Sequence, residues 1–242
     1  MTEHEATPTN EEMSREPLLA EDVLLLLFDP RSGTIAGEGN NLFHTLAGAV
    51  LVELASGGYV DIDARTTLRG REVRVLDGAA PSDPLLRGTW DRIARKPTDV
   101  HSLILEIGPR LRQEVIDRVV ERGHLGREKR KALGLITTTA LVDGGTGRRA
   151  ELLAPIRAAL VDGVDPEPRV GALAALLAAS GGLPALYKDI PWSGAVYTRG
   201  RELQRGDWGA EAVGESVRRT MAALIATNLF VGVFVAGSTA NG

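Results

Sequence analysis

The run MAALIATNLFVGVFVAG, Met221 to Gly237, contains no charged residue, and no other stretch restricts the fold as strongly. A membrane-spanning helix wants about 20 residues, usually with basic anchors. Arg218 and Arg219 precede this run, but nothing charged follows it. As a helix it is apolar on every face, which in a soluble chain marks a segment buried at the centre of a bundle. A 242-residue chain buries roughly 70–75% of the surface its unfolded form exposes, so it has room for such a centre without staples. Aromatic residues supply only 4% of the sequence, so leucine, valine and alanine must build the core.

Other segments carry the same helical signature. In LFHTLAGAVLVELASGG, Leu42, Leu46, Val50 and Leu54 recur every four residues with Phe43, Ala47 and Leu51 beside them, and Gly57-Gly58 stops the helix. SDPLLRGTWDRIARK opens with Ser82 or Asp83 as a cap and Pro84 in the first turn. TDVHSLILEIG reads as a helix that halts at Gly108-Pro109, and PRLRQEVIDRVVERG as a second one that starts at the proline. EPRVGALAALLAASGG is a further apolar helix closed by glycines. AELLAPIRAALVDG is either strand turning to helix or wholly helix. YVDIDA and REVRVLD alternate as two short strands would.

The same residues exclude several chemistries. There is no cysteine, hence no disulfide, thiolate metal site or cysteine nucleophile, which fits a reducing cytosol. His44, His101 and His124 fall in separate elements without helix-face metal spacing, and His44 and His101 read as satisfied packing residues. GEGNN and GGTG lack the spacing of a nucleotide loop and read as turns. Carboxylates are scattered along what should be solvated faces. No catalytic residue is expected. The N-terminal stretch MTEHEATPTNEEMSREP is acidic and polar, reads as a disordered tail and is no signal peptide.

Residues 110–131 are the exception to the net charge of −4: eight arginines and lysines stand against four acids. Helix-face pairs such as Arg110–Glu114 and Glu114–Arg118 account for part of this. Arg110 and Arg112 are expected in a first helical turn, where free N–H groups already favour an anion, so a bound phosphate would suit them. Beyond lies a short basic helix, then LGLITTTALV, ten uncharged residues rich in β-branched side chains. A strand is expected to begin at Leu133 to Leu135, with a tight turn at Asp143 to Gly147. Lys129, Arg130, Lys131, Arg148 and Arg149 bracket it as a basic collar. Helix, GHLGREKRK and hairpin also describe a winged helix whose basic helix reads DNA, and a protein–protein interaction module is a third reading.

The order of elements resembles the Golgi phosphoprotein family: eukaryotic Golgi adaptors that bind phosphatidylinositol 4-phosphate, with many bacterial relatives. The resemblance rests on LLAEDVLLLLFDPRSGTI, LAGAVLVELASGGYVDID, RLRQEVIDRVVERGHLGREKRKALGLITTTAL and ALAALLAASGGLPALY, followed by GDWGAEAV and an apolar C-terminal helix. It spans about residues 18 to 236. It implies a non-enzymatic, mainly helical domain that binds membranes peripherally, with a basic pocket for the lipid phosphate. An apolar hairpin beside that pocket enters the bilayer and is also linked to self-association; here it corresponds to LGLITTTALV. The family's pocket tryptophan falls near Glu38 and its first arginine at Ala47. Of two arginines three apart on the RLRQEV helix, the second matches Arg112 and the first falls at Pro109, one step from Arg110.

The expected architecture is mainly α, with residues 1–17 as an acidic tail and 18–238 as one compact helical domain bearing a few short strands and an apolar β-hairpin. Arg112 and Arg110 are expected at a lipid headgroup. Leu135, Ile136, Leu141 and Val142 are expected on the hairpin that meets a membrane or a second copy. The expected partner is an anionic phospholipid surface, with a homo-oligomer through the hairpin and no nucleic acid, cofactor or metal. The expected location is cytoplasmic and peripherally membrane-associated.

Overall fold

The structure, a computed structural model, describes residues 16–38, 41–67, 70–132, 136–206 and 215–227. Most of the acidic tail, the leucines at 133 and 135, and the apolar run beyond residue 227 therefore lie outside the described residues. The fold is mainly α, as the periodicity indicates: the described residues form eight helices and three small antiparallel sheets. The helices are α1 (Leu19–Leu27), α2 (Leu42–Ser56), α3 (Pro84–Arg95), α4 (Val100–Glu121), α5 (Arg148–Val161), α6 (Pro168–Ala179), α7 (Gly194–Gln204) and α8 (Glu215–Ala226). Strands β1 (Phe28–Asp29) and β2 (Thr34–Ile35) pair, as do β6 (Leu125–Ala132) and β7 (Ile136–Asp143). β3 (Val60–Thr67), β4 (Gly70–Val75) and β5 (Thr98–Asp99) form the third sheet.

The centre of the bundle belongs to α1. All nine of its residues are buried, and α2, α4, α5 and α6 pack around it. The described part of the C-terminal run instead lies on α2 and β3. Val217, Met221, Ala223 and Leu224 of α8 face inward while Arg218, Ala222 and Ala226 are exposed. No described helix is long and apolar enough to cross a membrane.

Asp83 caps α3 as the sequence indicates, accepting from the N–H groups of Leu85 at 2.9 Å and Leu86 at 3.3 Å, with Pro84 at the first turn. AELLAPIRAALVDG is helical over the whole of α5. The expected break at Gly108-Pro109 is absent, because α4 runs unbroken from Val100 to Glu121 with Pro109 inside it. An interior proline removes one backbone hydrogen bond and costs about 3 kcal/mol in isolation. Here packing overrides it, since Leu103, Ile104, Leu111, Val115, Ile116 and Val119 on both sides of the proline are buried along one continuous face. Gly108 lets α2 approach. A Cβ there would lie 2.7 Å from the Phe43 ring and 3.0 Å from the Phe43 carbonyl oxygen. Gly108→Ala is therefore expected to cost about 1–3 kcal/mol through displacement of α2; an unchanged urea midpoint would show that the helix contact yields freely.

The second correction concerns the basic stretch. GREKRK is not a short helix but most of strand β6, and its partner is β7, with Leu125 opposite Asp143 and Ala132 opposite Ile136. Asp143 pairs with Leu125 at the root of the hairpin, so Asp143 to Gly147 is not its turn. A run of arginine, glutamate and lysine has good local helix propensity, but β-branched Thr137, Thr138 and Thr139 offer a complete cross-strand partner. The glycines at 144–147 serve another purpose. Gly145 and Gly147 take positive φ, 75° and 78°, and carry the chain from β7 into α5.

Candidate functional site

The β6–β7 hairpin is a two-stranded sheet rooted between the end of α4 and the start of α5. Its root is tied at several points. The Gly144 N–H donates to the His124 carbonyl at 3.0 Å, and the His124 imidazole lies 2.8 Å from the Thr146 hydroxyl. Arg127 pairs with Asp117 of α4. Alternate residues of a paired ladder share a face, so the register sorts the hairpin into two rows. Arg127, Lys129 and Lys131 share register positions with Leu141, Thr139 and Thr137. Gly126, Glu128, Arg130 and Ala132 share theirs with Val142, Ala140, Thr138 and Ile136. With the pair Leu125 and Asp143, the first set of register positions holds three cations and one acid, and the second holds Arg130 and Glu128 among small and apolar residues. Leu141 and Val142 are half-buried near the root, with Leu141 packed on the core. Ile136 is placed in β7, and Leu135 lies outside the described residues.

The two arginines expected to share a phosphate do not share a pocket. Because α4 is continuous, both lie at mid-helix, away from any free N–H groups, and a spacing of two residues sets them roughly 200° apart around the axis. Arg112 pairs with Glu38. Arg110 is exposed and opens onto a groove of about 690 Å³ between α3 and α4. Arg92, Arg95 and Lys96 line the same groove with Glu106 and Glu114. Arg92 forks onto Glu106 through both oxygens, and this hydrogen bond, followed by the charges of Arg92, Arg110 and Lys96, holds the Glu106 carboxyl below the usual range despite some desolvation. Sequence inspection passed over Arg92, Arg95 and Lys96; their helical spacing on RIARK was the available signal.

A buried ionic cluster positions both ends of the hairpin. Glu21 and Asp22 of α1 are each only 1% exposed, contrary to the expectation that carboxylates occupy solvated faces. Glu21 accepts from Arg118 Nε at 2.9 Å and Arg122 Nε at 2.6 Å. Asp22 accepts from Arg148 at 3.1 and 2.9 Å and from Arg169 at 2.9 Å. Arg118 therefore turns inward to Glu21 and Asp83 instead of toward Glu114. Arg122 closes α4 just before the hairpin and Arg148 opens α5 just after it, so α1 anchors both stems. Arg149 donates to the Phe28 carbonyl and to Asp189. Neither Arg148 nor Arg149 is part of a membrane-facing collar, because both are committed to the body.

Nearby, burial pushes the Glu53 carboxyl above its usual range, and the charge of Arg169 is the main opposing influence. His44 packs beside Phe43, with ring centroids 3.9 Å apart. Both of its nitrogens are buried without a partner among the described residues, and desolvation lowers its basicity.

Comparison with known proteins agrees with this order of elements. A model of the Golgi phosphoprotein 3 (GPP34) family matches residues 19–220. No curated protein sequence matches the chain significantly.

Proposed function

The chain belongs to the Golgi phosphoprotein 3 family, and from this premise we propose that it is a peripheral membrane protein that docks on anionic lipid through the β6–β7 hairpin. Family membership is consistent with a non-enzymatic, adaptor-type role. The observation that carries the lipid reading is the hairpin register, which makes the basic stretch Arg127 to Lys131 a strand and brings Ala132 and Ile136 together at its far end. Each lysine or arginine near an anionic surface contributes about 1 kcal/mol, and Lys129, Arg130 and Lys131 all lie next to the turn. In the sequence that joins the two strands, Leu133, Leu135 and Ile136 have side chains worth roughly 1.5–3 kcal/mol each when buried in hydrocarbon.

In this reading Arg110 and Arg112 meet headgroups separately. Arg110 does so in the groove with Arg95 and Lys96. Arg112 exchanges Glu38 for a phosphate; with both side chains about 40% exposed, their ion pair is worth at most about 1 kcal/mol and yields readily. The same hairpin is the candidate surface for a second copy, since a two-stranded sheet leaves outer edges to be covered. The winged-helix reading required GREKRK to be a helix entering DNA, and this segment is strand.

Sedimentation with phosphatidylcholine vesicles, with and without phosphatidylserine or a phosphoinositide, tests the proposal. Binding should require the anionic lipid and weaken with salt. Lys129→Glu with Lys131→Glu should lower it at least about tenfold, and Leu135→Ser with Ile136→Ser should lower it without changing thermal stability. Equal sedimentation with neutral vesicles, or indifference to all four substitutions, would remove the membrane role.

A further inference from the structure

A second recess lies on elements other than the hairpin. Between the end of α6, the 3-10 turn Leu183–Leu186 and α7 there is a cavity of about 190 Å³. Its apolar wall is Ala178, Leu183, Pro184 and two aromatic rings. Trp192 and Tyr197 are 44% and 54% exposed and meet edge to face, with centroids 6.2 Å apart. In a chain with so few aromatics, two exposed rings joined over one hollow form a surface built to be covered.

Two polar groups complete it. Gln204 is only 6% exposed and lines the cavity, yet among the described residues its side-chain amide has no hydrogen-bond partner. A carboxamide with no protein partner leaves its donor and acceptor free for a ligand atom. Arg201, one helical turn before it, is exposed on the same wall and makes no ion pair among the described residues. No acidic residue is among those lining the cavity. The recess thus presents an apolar hollow with a guanidinium and a carboxamide among its lining groups, donors of the kind that bind a carboxylate.

We propose that this recess captures the carboxyl terminus of a partner polypeptide that ends in a bulky apolar residue. The last side chain enters between Trp192, Tyr197 and Leu183, and the terminal carboxylate meets Arg201 and Gln204. The volume favours this occupant. Small-molecule sites usually enclose roughly 300–1,000 Å³, and a hollow below that range holds one anchor side chain but not an acyl chain. Charge favours it too, because an unpaired arginine beside an apolar wall selects a ligand whose carboxylate adjoins its apolar group.

The test uses fluorescein-labelled octapeptides of one neutral sequence, read by anisotropy with the full chain. The peptide ending in a free phenylalanine carboxylate should bind at least about tenfold more tightly than its C-terminal amide and than the version ending in glycine. Arg201→Gln should remove the advantage of acid over amide while leaving the melting temperature unchanged. Trp192→Ala should weaken acid and amide alike. Equal affinity for acid and amide, or no binding by any of them at millimolar peptide, overturns the proposal. So does equal binding of an internal Phe-Asp in an amidated peptide, which would mean that a chain terminus is not what is read. If anionic vesicles displace the peptide, and Arg201→Gln lowers vesicle binding, the recess belongs to a lipid-facing surface and the proposal also fails.

Discussion

Asp22→Asn is expected to lose about 3 kcal/mol of folding stability, although the two side chains are nearly the same size. Removing one partner from a buried ion pair typically costs roughly 3–5 kcal/mol, because the other charge remains in a poor solvent. Asp22 is buried and receives both Arg148 and Arg169. Those two side chains keep 23% and 29% exposure, so water recovers part of the loss and the lower end of that range applies. The amide replaces a full charge by a dipole in front of two guanidinium groups. In urea the midpoint should fall by on the order of 1 M with the slope unchanged, and added salt should rescue little because the site is shielded. A midpoint within about 0.2 M of the parent protein would show that the cluster adds nothing net. Since Arg148 is the first residue of α5, the variant should also loosen the hairpin stem and raise proteolysis there before global unfolding.

Gly144→Ala should be the most damaging single methyl group added to the hairpin root. A Cβ at Gly144 would sit 1.8 Å from the Gly123 carbonyl oxygen and 2.7 Å from its carbon. Both atoms are backbone, so no rotamer change relieves the overlap, and the two stems must separate. Overpacking of this kind costs roughly 1–3 kcal/mol and sometimes more. A melting temperature lower by on the order of 10 °C is expected, together with weaker binding to anionic vesicles because the hairpin loses its seat. Gly145→Ala is the natural control. It has φ 75° but no atom within 4 Å of the added carbon, so it carries only the left-handed penalty of about 1–2 kcal/mol. If Gly145→Ala proved the more harmful of the two, backbone conformation and not space would govern the root.

Much of the helical scaffold was readable without coordinates. The four-residue repeat of Leu42, Leu46, Val50 and Leu54, the Asp83 cap and the glycine stops all act within one or two turns of chain, so their signal is present in a short window. The pair β3 and β4 was visible for a similar reason, since alternation over a few residues and a short connection suffice. The order of these elements was also enough to indicate the family that the comparison then showed.

The site was less legible, because its features depend on partners that are distant in sequence. Glu21 meets Arg118 and Arg122, 97 and 101 residues away, and Asp22 meets Arg148 at 126 and Arg169 at 147. No local pattern distinguishes those carboxylates from solvated ones. Pro109 looked like a helix start because its own chemistry favours one, yet burial on both sides carried α4 through it. That one change moved Arg110 and Arg112 from a shared helix end to opposite sides of a continuous helix. The stretch GREKRK became a strand because β7 supplied the hydrogen bonds that a lone charged segment lacks. The sequence by itself determined where helices begin, repeat and stop, since those energies are local. Only tertiary structure decided which charges are buried together, which helix is central and which strand the basic stretch pairs with, because burial and strand pairing have no energy until the second partner arrives.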